Sequence, residues 1–391
     1  MKKLLIFVWI IGVAMKIAQA QEIEQVLEKI EENNTELLAL RKAADAKLLQ
    51  NKTGLFLDNP EAEFHFLWGS PAAMGNRTDI SITQSFDFPT VYSHQNKISD
   101  LKNHQVELNY LKSQKKILLE ARQLIHQVTF INAKHYQISE RLEHAKKISS
   151  AYQTGLKEGY SNILDVNKAE LNLLNVKNEL KNLEIERERL MDQLQYLNGG
   201  EPIHYQKRIF DAMELPQDFD EWYAEAEKQN PMLNWLKKEI AVSQQQIKLS
   251  KARSLPKLNA GYMTEGLTSN QFQGFIVGMS IPLWENKNSV KYAQVHSEAM
   301  LKYQENSRLE FYNQLQSLFN KAKSLETAVN SFKRSLSRYQ HKQMLDKALE
   351  QGQITLIEHL MELSIFYKSE ESLLEMQKDL HLTIAELYWF L

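Results

Sequence analysis

The 391-residue chain contains no cysteine and only 13 glycines and 8 prolines. Without thiols it has no disulfide scaffold, no cysteine-held zinc and no thiol redox centre. The shortage of glycine and proline excludes a fold with a tight turn every dozen residues. No one sign of charge prevails. The 47 basic and 49 acidic residues leave a formal charge of −2, so nothing electrostatic points to nucleic acid as a partner. After residue 20 no stretch is apolar enough for a membrane helix, and the mean hydropathy is −0.46. Catalytic signatures are missing too: there is no HExxH, GxSxG, P-loop or glycine-rich dinucleotide motif, so no enzyme and no cofactor is expected. None of the 11 histidines lies three or four residues from another, so their spacing supports no metal site in this chain.

What is present is order. Residues that end helices are missing from 90–154 (65 residues), 160–198 (39), 283–351 (69) and 353–391 (39). A long run and then a short one, twice over, reads as two pairs of long helices. At the N-terminus, Lys2 and Lys3 precede the apolar run Leu4 to Ala14, and Ala18-Gln19-Ala20 supplies small residues for cleavage. Residues 1–20 are therefore expected to be a secretory signal peptide.

The chain also repeats itself. A shift of 196 residues pairs Glu31 with Glu227, Asn34 with Asn230, Leu37 with Leu233, Leu40 with Leu236 and Pro60 with Pro256. The first repeat is placed at 21–198, a linker at 199–220 and the second repeat at 221–391. Each repeat reads as a helix (about 23–53 and 221–254), a strand pair (about 61–88 and 257–283) and a helix of some sixty residues. A hairpin tip (about 155–160 and 350–355) and a final helix follow. The strands show in the alternation of Asp79 to Phe88, which puts apolar side chains on one face and polar ones on the other. The helices carry a coiled-coil seam: Val166, Leu173, Leu180 and Leu194 recur by sevens, with Ala169, Val176, Leu183, Leu190 and Leu197 offset by three. Only Arg187 interrupts it.

Four strands cannot close a barrel, for which about 8 is the practical minimum. Either other copies complete the sheet, or it is not a membrane sheet.

The tandem Asn-x-x-Leu…Pro units at Asn34–Pro60 and Asn230–Pro256 resemble those of the outer membrane efflux duct proteins, the TolC-like family. So do the segments Gln84-Ser85-Phe86-Asp87-Phe88-Pro89 and Gly278-Met279-Ser280-Ile281-Pro282-Leu283-Trp284. The hairpin Gly159-Tyr160-Ser161-Asn162-Ile163-Leu164-Asp165-Val166 and its counterpart Gly352 to Glu358 complete the likeness, which spans the whole mature chain. The resemblance implies a mainly α fold with a small β part. In a homotrimer the long helices would build an α-barrel, and four strands per protomer would build a shared twelve-stranded barrel in outer membrane lipid. It implies two further partners, a periplasmic adaptor and an inner membrane transporter of the resistance-nodulation-division type. Substrates, drugs or metal cations, would pass through passively.

The resemblance also assigns residues. Asp165 and Glu358, six residues after Gly159 and Gly352, match carboxylates near the family's periplasmic aperture. The family often has a second carboxylate three residues on, where this chain has Lys168 and Met361. Without a role in an aperture, Asp165 and Glu358 would serve the helix dipole in a first turn. Gly155, Leu156, Gly159, Ser161, Gly352 and Thr355 are expected at the tip turns and the adaptor contact. Trp68, Phe88 and Trp284 stand at strand ends, where aromatic residues meet membrane interfaces. The rival reading is a soluble periplasmic coiled-coil protein with a structural or adaptor role, which leaves the matched alternating strands unexplained.

Overall fold

A computed structural model describes residues 22–212, 214–267, 270–337 and 341–389, without the side chains of Ala72, His341 and Lys342. The expected signal peptide lies outside them. Residues 22–33 form α1. Then come α2 (Thr35–Gln50), β1 (Glu61–Leu67), β2 (Arg77–Phe86), α3 (Pro89–Glu158), α4 (Ile163–Leu197), α5 (Phe219–Gln229) and α6 (Pro231–Ala252). The chain ends with β3 (Lys257–Leu267), β4 (Gln271–Ser280), α7 (Ser289–Leu336), α8 (His341–Glu350) and α9 (Leu356–Tyr388). The fold is mainly α with one antiparallel four-stranded sheet. Among the described residues no helix is long and apolar enough to cross a membrane.

The chain divides into two compact units. One comprises residues 40–112 and 227–311 and holds the whole sheet. In α6 the buried residues Leu233, Leu236, Ile240 and Leu249 fall at helical spacing, so one stripe of the helix seeks cover. Val242, Leu249 and Ala252 pack with Val91 and Ile98 of α3 into a small core, flanked by Leu101. The other unit comprises the described residues of 1–39, 113–226 and 312–391. Its α4 buries Val166, Ala169, Leu183, Leu190, Leu194 and Leu197, the expected seam, while Leu173, Val176 and Leu180 are half-buried. Arg187 stands in that seam because its guanidinium has work there: Nε donates to Asn132 Oδ1 at 2.8 Å and Nη2 to the Tyr205 carbonyl at 3.1 Å.

The expected single helices over 23–53 and 221–254 are each two helices, divided at Asn34 and Asn230. An asparagine oxygen competes with the backbone for amide protons. Asn34 Oδ1 accepts from Leu37 N at 2.8 Å, and Asn230 Oδ1 accepts from Met232 N at 2.8 Å and Leu233 N at 3.1 Å. The repeat signature is thus a helix start. Within the run 283–351 the described helices are α7, whose last residue is Leu336, and α8, which begins at His341; residues 283–288 precede α7 outside any helix. Ser335 Oγ and Ser337 Oγ both donate back to main-chain carbonyls at the Leu336 end, an alternative that weakens helices. The absence of glycine and proline permits a helix without compelling it.

The segment expected as a linker is a packed strap. Tyr205 is fully buried, with its hydroxyl 2.8 Å from Thr129 Oγ1. Asn132 Nδ2 donates to the Lys207 carbonyl at 2.9 Å, and Arg208 lies 4.0 Å over the Tyr136 ring. Phe210 stacks on His381 at 4.6 Å, and His381 lies 5.2 Å from His126. Burial pushes His126 down to about 3, helped by the neighbouring His381, and burial pushes His381 down to about 4. Both rings therefore stay neutral in the folded chain, whereas in the unfolded chain they protonate near about 6.5. Between these values the unfolded state binds more protons, so stability falls as pH drops. His126→Leu is expected to flatten that slope, read as the change in thermal midpoint between about pH 7 and about pH 5. A slope equal to that of the parent chain would show that His126 does not set it.

Candidate functional site

Two features bear on function, the sheet and the hairpin tips. In the sheet the strands run in the order β1-β2-β3-β4, so β1 and β4 are open edges. Directly paired residues share a face. Phe64 pairs with Ile80, Ala62 with Ile82, Ile82 with Tyr262 and Tyr262 with Phe275; Phe86 pairs with Leu258, and Ala260 with Val277. That face is mainly apolar, with Thr78, Gln84, Thr264 and Gln273 among its polar residues and, among the described residues, no charged one, yet Phe275 is 88% and Val277 84% exposed. The opposite face carries Glu63, His65, Asp79, Ser81, Thr83, Asn259 and Glu265. There Arg77 bridges Asp79 at 2.8 Å and Glu265 at 3.0 Å. A soluble sheet turns its apolar face to a core, whereas this one turns the apolar face outward. Trp68 and Trp284 stand just beyond the ends of β1 and β4, each 79% exposed, and Phe88 lies between β2 and α3. Trp68 meets Phe66 edge-on at 5.4 Å.

The first tip joins α3 to α4. Gly159 turns the chain at φ 83°, which only glycine adopts freely. Gly155 serves differently, because a Cβ there would stand 2.5 Å from Ser161 Oγ. Tyr160 N and Ser161 N both donate to the Gly155 carbonyl, at 2.7 and 3.1 Å. Asn162 caps α4: its Oδ1 accepts from Asp165 N at 2.9 Å while its Nδ2 donates to Asp165 Oδ2 at 2.7 Å. Lys168 Nζ lies 3.1 Å from Asp165 Oδ1, an ion pair that offsets the charge of this carboxylate.

The second tip joins α8 to α9, with Gly352 at φ 68°. Thr355 caps α9 in a reciprocal box: Glu358 N donates to Thr355 Oγ1 at 3.3 Å, and Thr355 N donates to Glu358 Oε2 at 2.8 Å. The Thr355 backbone amide, and then its hydroxyl, hold the Glu358 carboxyl below the usual carboxylate range. Both Asp165 and Glu358 thus sit in first turns. Ile148, Ala169 and Leu356 form the core that joins the two tips, with Tyr152, Leu349 and Leu360 around it. Near Leu156 and Thr355, the apolar side chains of Tyr160, Ile163, Leu164, Ile357 and Met361 are exposed. None of these was expected at the adaptor contact from the sequence, although their apolar character beside a capping residue was visible.

One constellation escaped the sequence reading entirely. His144 of α3, Asp346 of α8 and His359 of α9 converge, with Asp346 Oδ1 3.0 Å from Nε2 of both histidines. Each residue lies on a different helix, so no spacing along the chain reveals it.

No family model and no curated protein sequence matches the chain. Solved structures do match over nearly its whole length. The outer-membrane channel OprN superimposes with a TM-score of 0.77 at 15% identity, over 95% of this chain and 89% of that one. CusC, whose structures concern folding and transmembrane channel formation, gives 0.78 at 15% identity over 94% and 91%. The open-state MtrE outer membrane channel of Neisseria gonorrhoeae gives 0.74 at 12% identity over 94% and 88%. The protein has the fold of these outer membrane channels.

Proposed function

We propose that the protein is one protomer of an outer membrane duct in a tripartite efflux system. Three copies close a twelve-stranded barrel in outer membrane lipid, their long helices form a periplasmic tunnel, and substrates pass through without chemistry. The observation that carries this reading is the sheet, with an exposed and mainly apolar face, an opposite face that holds the charged residues of the strands, and two open edges. An open edge in lipid leaves backbone groups unpaired at several kcal/mol each, about enough to forbid it. Pairing β1 of one copy with β4 of the next removes every edge. Strands of 7 to 11 residues suit a tilted crossing. The fold shared with outer membrane channels supports the same reading.

At the periplasmic end the exposed apolar residues of the two tips offer a surface for an adaptor, which links the duct to an inner membrane pump. Drugs or metal cations are the proposed substrates, chosen by that pump. Glu358 is the aperture carboxylate in this reading, because Lys168 already offsets the charge of Asp165. Glu358→Gln keeps an N-terminal acceptor for the capping box and removes the charge. In planar bilayers it is expected to raise single-channel conductance and lower cation preference. Unchanged conductance and selectivity would remove Glu358 from the aperture. Membrane fractionation with unboiled electrophoresis tests the duct itself. Material pelleting with outer membranes as an oligomer fits the proposal, and a monomer in osmotic-shock fluid favours the soluble coiled-coil alternative.

A further inference from the structure

The cluster of His144, Asp346 and His359 lies outside everything the duct reading uses. Their ligand atoms, one per residue, all lie within 4.8 Å of one another. His359 is completely buried, so packing fixes its ring, while His144 is 18% and Asp346 33% exposed, which leaves an approach from solvent. Zinc-type ions bind imidazole nitrogen and carboxylate oxygen at about 2.0–2.2 Å, which puts neighbouring ligands of a tetrahedral site at about 3.3 Å. The two nitrogen–oxygen edges already measure 3.0 Å. A shift of a few tenths of an ångström would open these two edges to the required separation, and the third edge, between the histidine nitrogens, lies within 4.8 Å and closes as the partly exposed His144 moves in.

The donor set is selective. Two imidazoles and one carboxylate suit Zn²⁺, Co²⁺, Ni²⁺ or Fe²⁺. They do not suit Ca²⁺ or Mg²⁺, which take oxygen ligands, nor Cu⁺, which prefers thiolate or thioether. We propose that His144, Asp346 and His359 bind one divalent transition-metal ion of the zinc type, which ties α3 to the α8–α9 hairpin. A fourth position remains open to water. The ion joins α3, α8 and α9 beside the Ile148–Ala169–Leu356 core, against which Leu349 of α8 packs. Binding the folded chain alone stabilises it by mass action. The site stands independently of the duct reading, since it needs only the packing within one protomer.

The test uses the purified full chain, free of any histidine tag and stripped with chelator. Titration with Co²⁺ alone is expected to give visible absorption saturating at one ion per chain. Zn²⁺ should abolish that absorption and raise the thermal midpoint. His144→Ala and Asp346→Ala, both at partly exposed positions, are each expected to weaken Co²⁺ binding at least tenfold and to remove the thermal shift. Circular dichroism would confirm that both variants fold. A parent chain that binds no Co²⁺, or variants that bind it as the parent does, would overturn the proposal. The cluster would then be a hydrogen-bond network only. Either failure leaves membrane insertion and conductance, the measures of the duct reading, unaffected.

Discussion

Ile82→Arg is expected to abolish stable assembly in the outer membrane, while Ser81→Arg, one residue earlier, leaves it largely intact. The two side chains stand at the middle of β2 on opposite faces. Ile82 pairs with Ala62 and Tyr262 on the exposed apolar face, and Ser81 pairs with Glu63 and Met263 on the polar one. An arginine facing lipid at mid-depth costs about 2–4 kcal/mol in a barrel. Three copies multiply the burden to about 6–12 kcal/mol per trimer, comparable with the whole stability of many folded domains. An arginine from position 81 would face a watery lumen beside Glu63 and cost little. The readout is the fraction of unboiled oligomer in outer membrane pellets. The contrast also separates the two functional readings. On a soluble coiled-coil protein Ile82 is a surface residue, where arginine changes stability by no more than about 0.5 kcal/mol. Equal assembly of both variants would therefore remove lipid from the apolar face.

The elements that announced themselves in the sequence did so through periodicity. Asp79 to Phe88 alternates because a strand presents successive side chains to opposite faces, and the structure places β2 there at Arg77–Phe86. The leucines of α4 recur because a helix returns to the same face, and the residues from Leu183 to Leu197 in the seam are buried accordingly. What stayed hidden depended on single side chains or on distant ones. Asn34 and Asn230 marked the repeat, but that their oxygens interrupt a helix is a matter of local hydrogen bonding that periodicity does not register. Residues 199–220 read as a linker between the repeats, opened by the helix-ending Gly199-Gly200-Glu201-Pro202. Tyr205, Arg208 and Phe210 nevertheless pin them to the helices one contact at a time. The expected aperture carboxylates do lie in first turns beside the tip glycines, and the capping bonds there leave both readings of Glu358 open to the conductance test. His144, Asp346 and His359 were the least legible, because their proximity is a product of the tertiary fold.

The second large effect is expected at Asn34, which holds two helix ends with one side chain. Its Oδ1 caps α2 through Leu37 N, and its Nδ2 donates at 2.8 Å to the carbonyl of Leu197, the last residue of α4. The group is buried, so neither partner can turn to water when the bond is lost. The neighbourhood is tight as well. Asn33 Nδ2 donates to Asn198 Oδ1 at 3.1 Å, and a Cβ on Gly199 would stand 2.3 Å from the Asn33 carbonyl. With no room for a substitute to adjust, the chemistry of the side chain decides the outcome. Asn34→Ser keeps an oxygen for the cap and abandons the Leu197 carbonyl, at a cost of about 1–3 kcal/mol. Asn34→Ala loses the cap too, for a total of about 2–4 kcal/mol. Asn34→Asp is the discriminating case. At an ordinary helix start aspartate is as good a cap as serine or better. Here it would set a carboxylate oxygen against the Leu197 carbonyl with no proton between them, in a site closed to solvent. Asn34→Asp is therefore expected to be less stable than Asn34→Ser, reversing the usual order. Thermal unfolding of the two variants reads this directly. If Asn34→Asp matches or exceeds Asn34→Ser, the bond to Leu197 does not hold α4 to α2, and Asn34 is a cap alone.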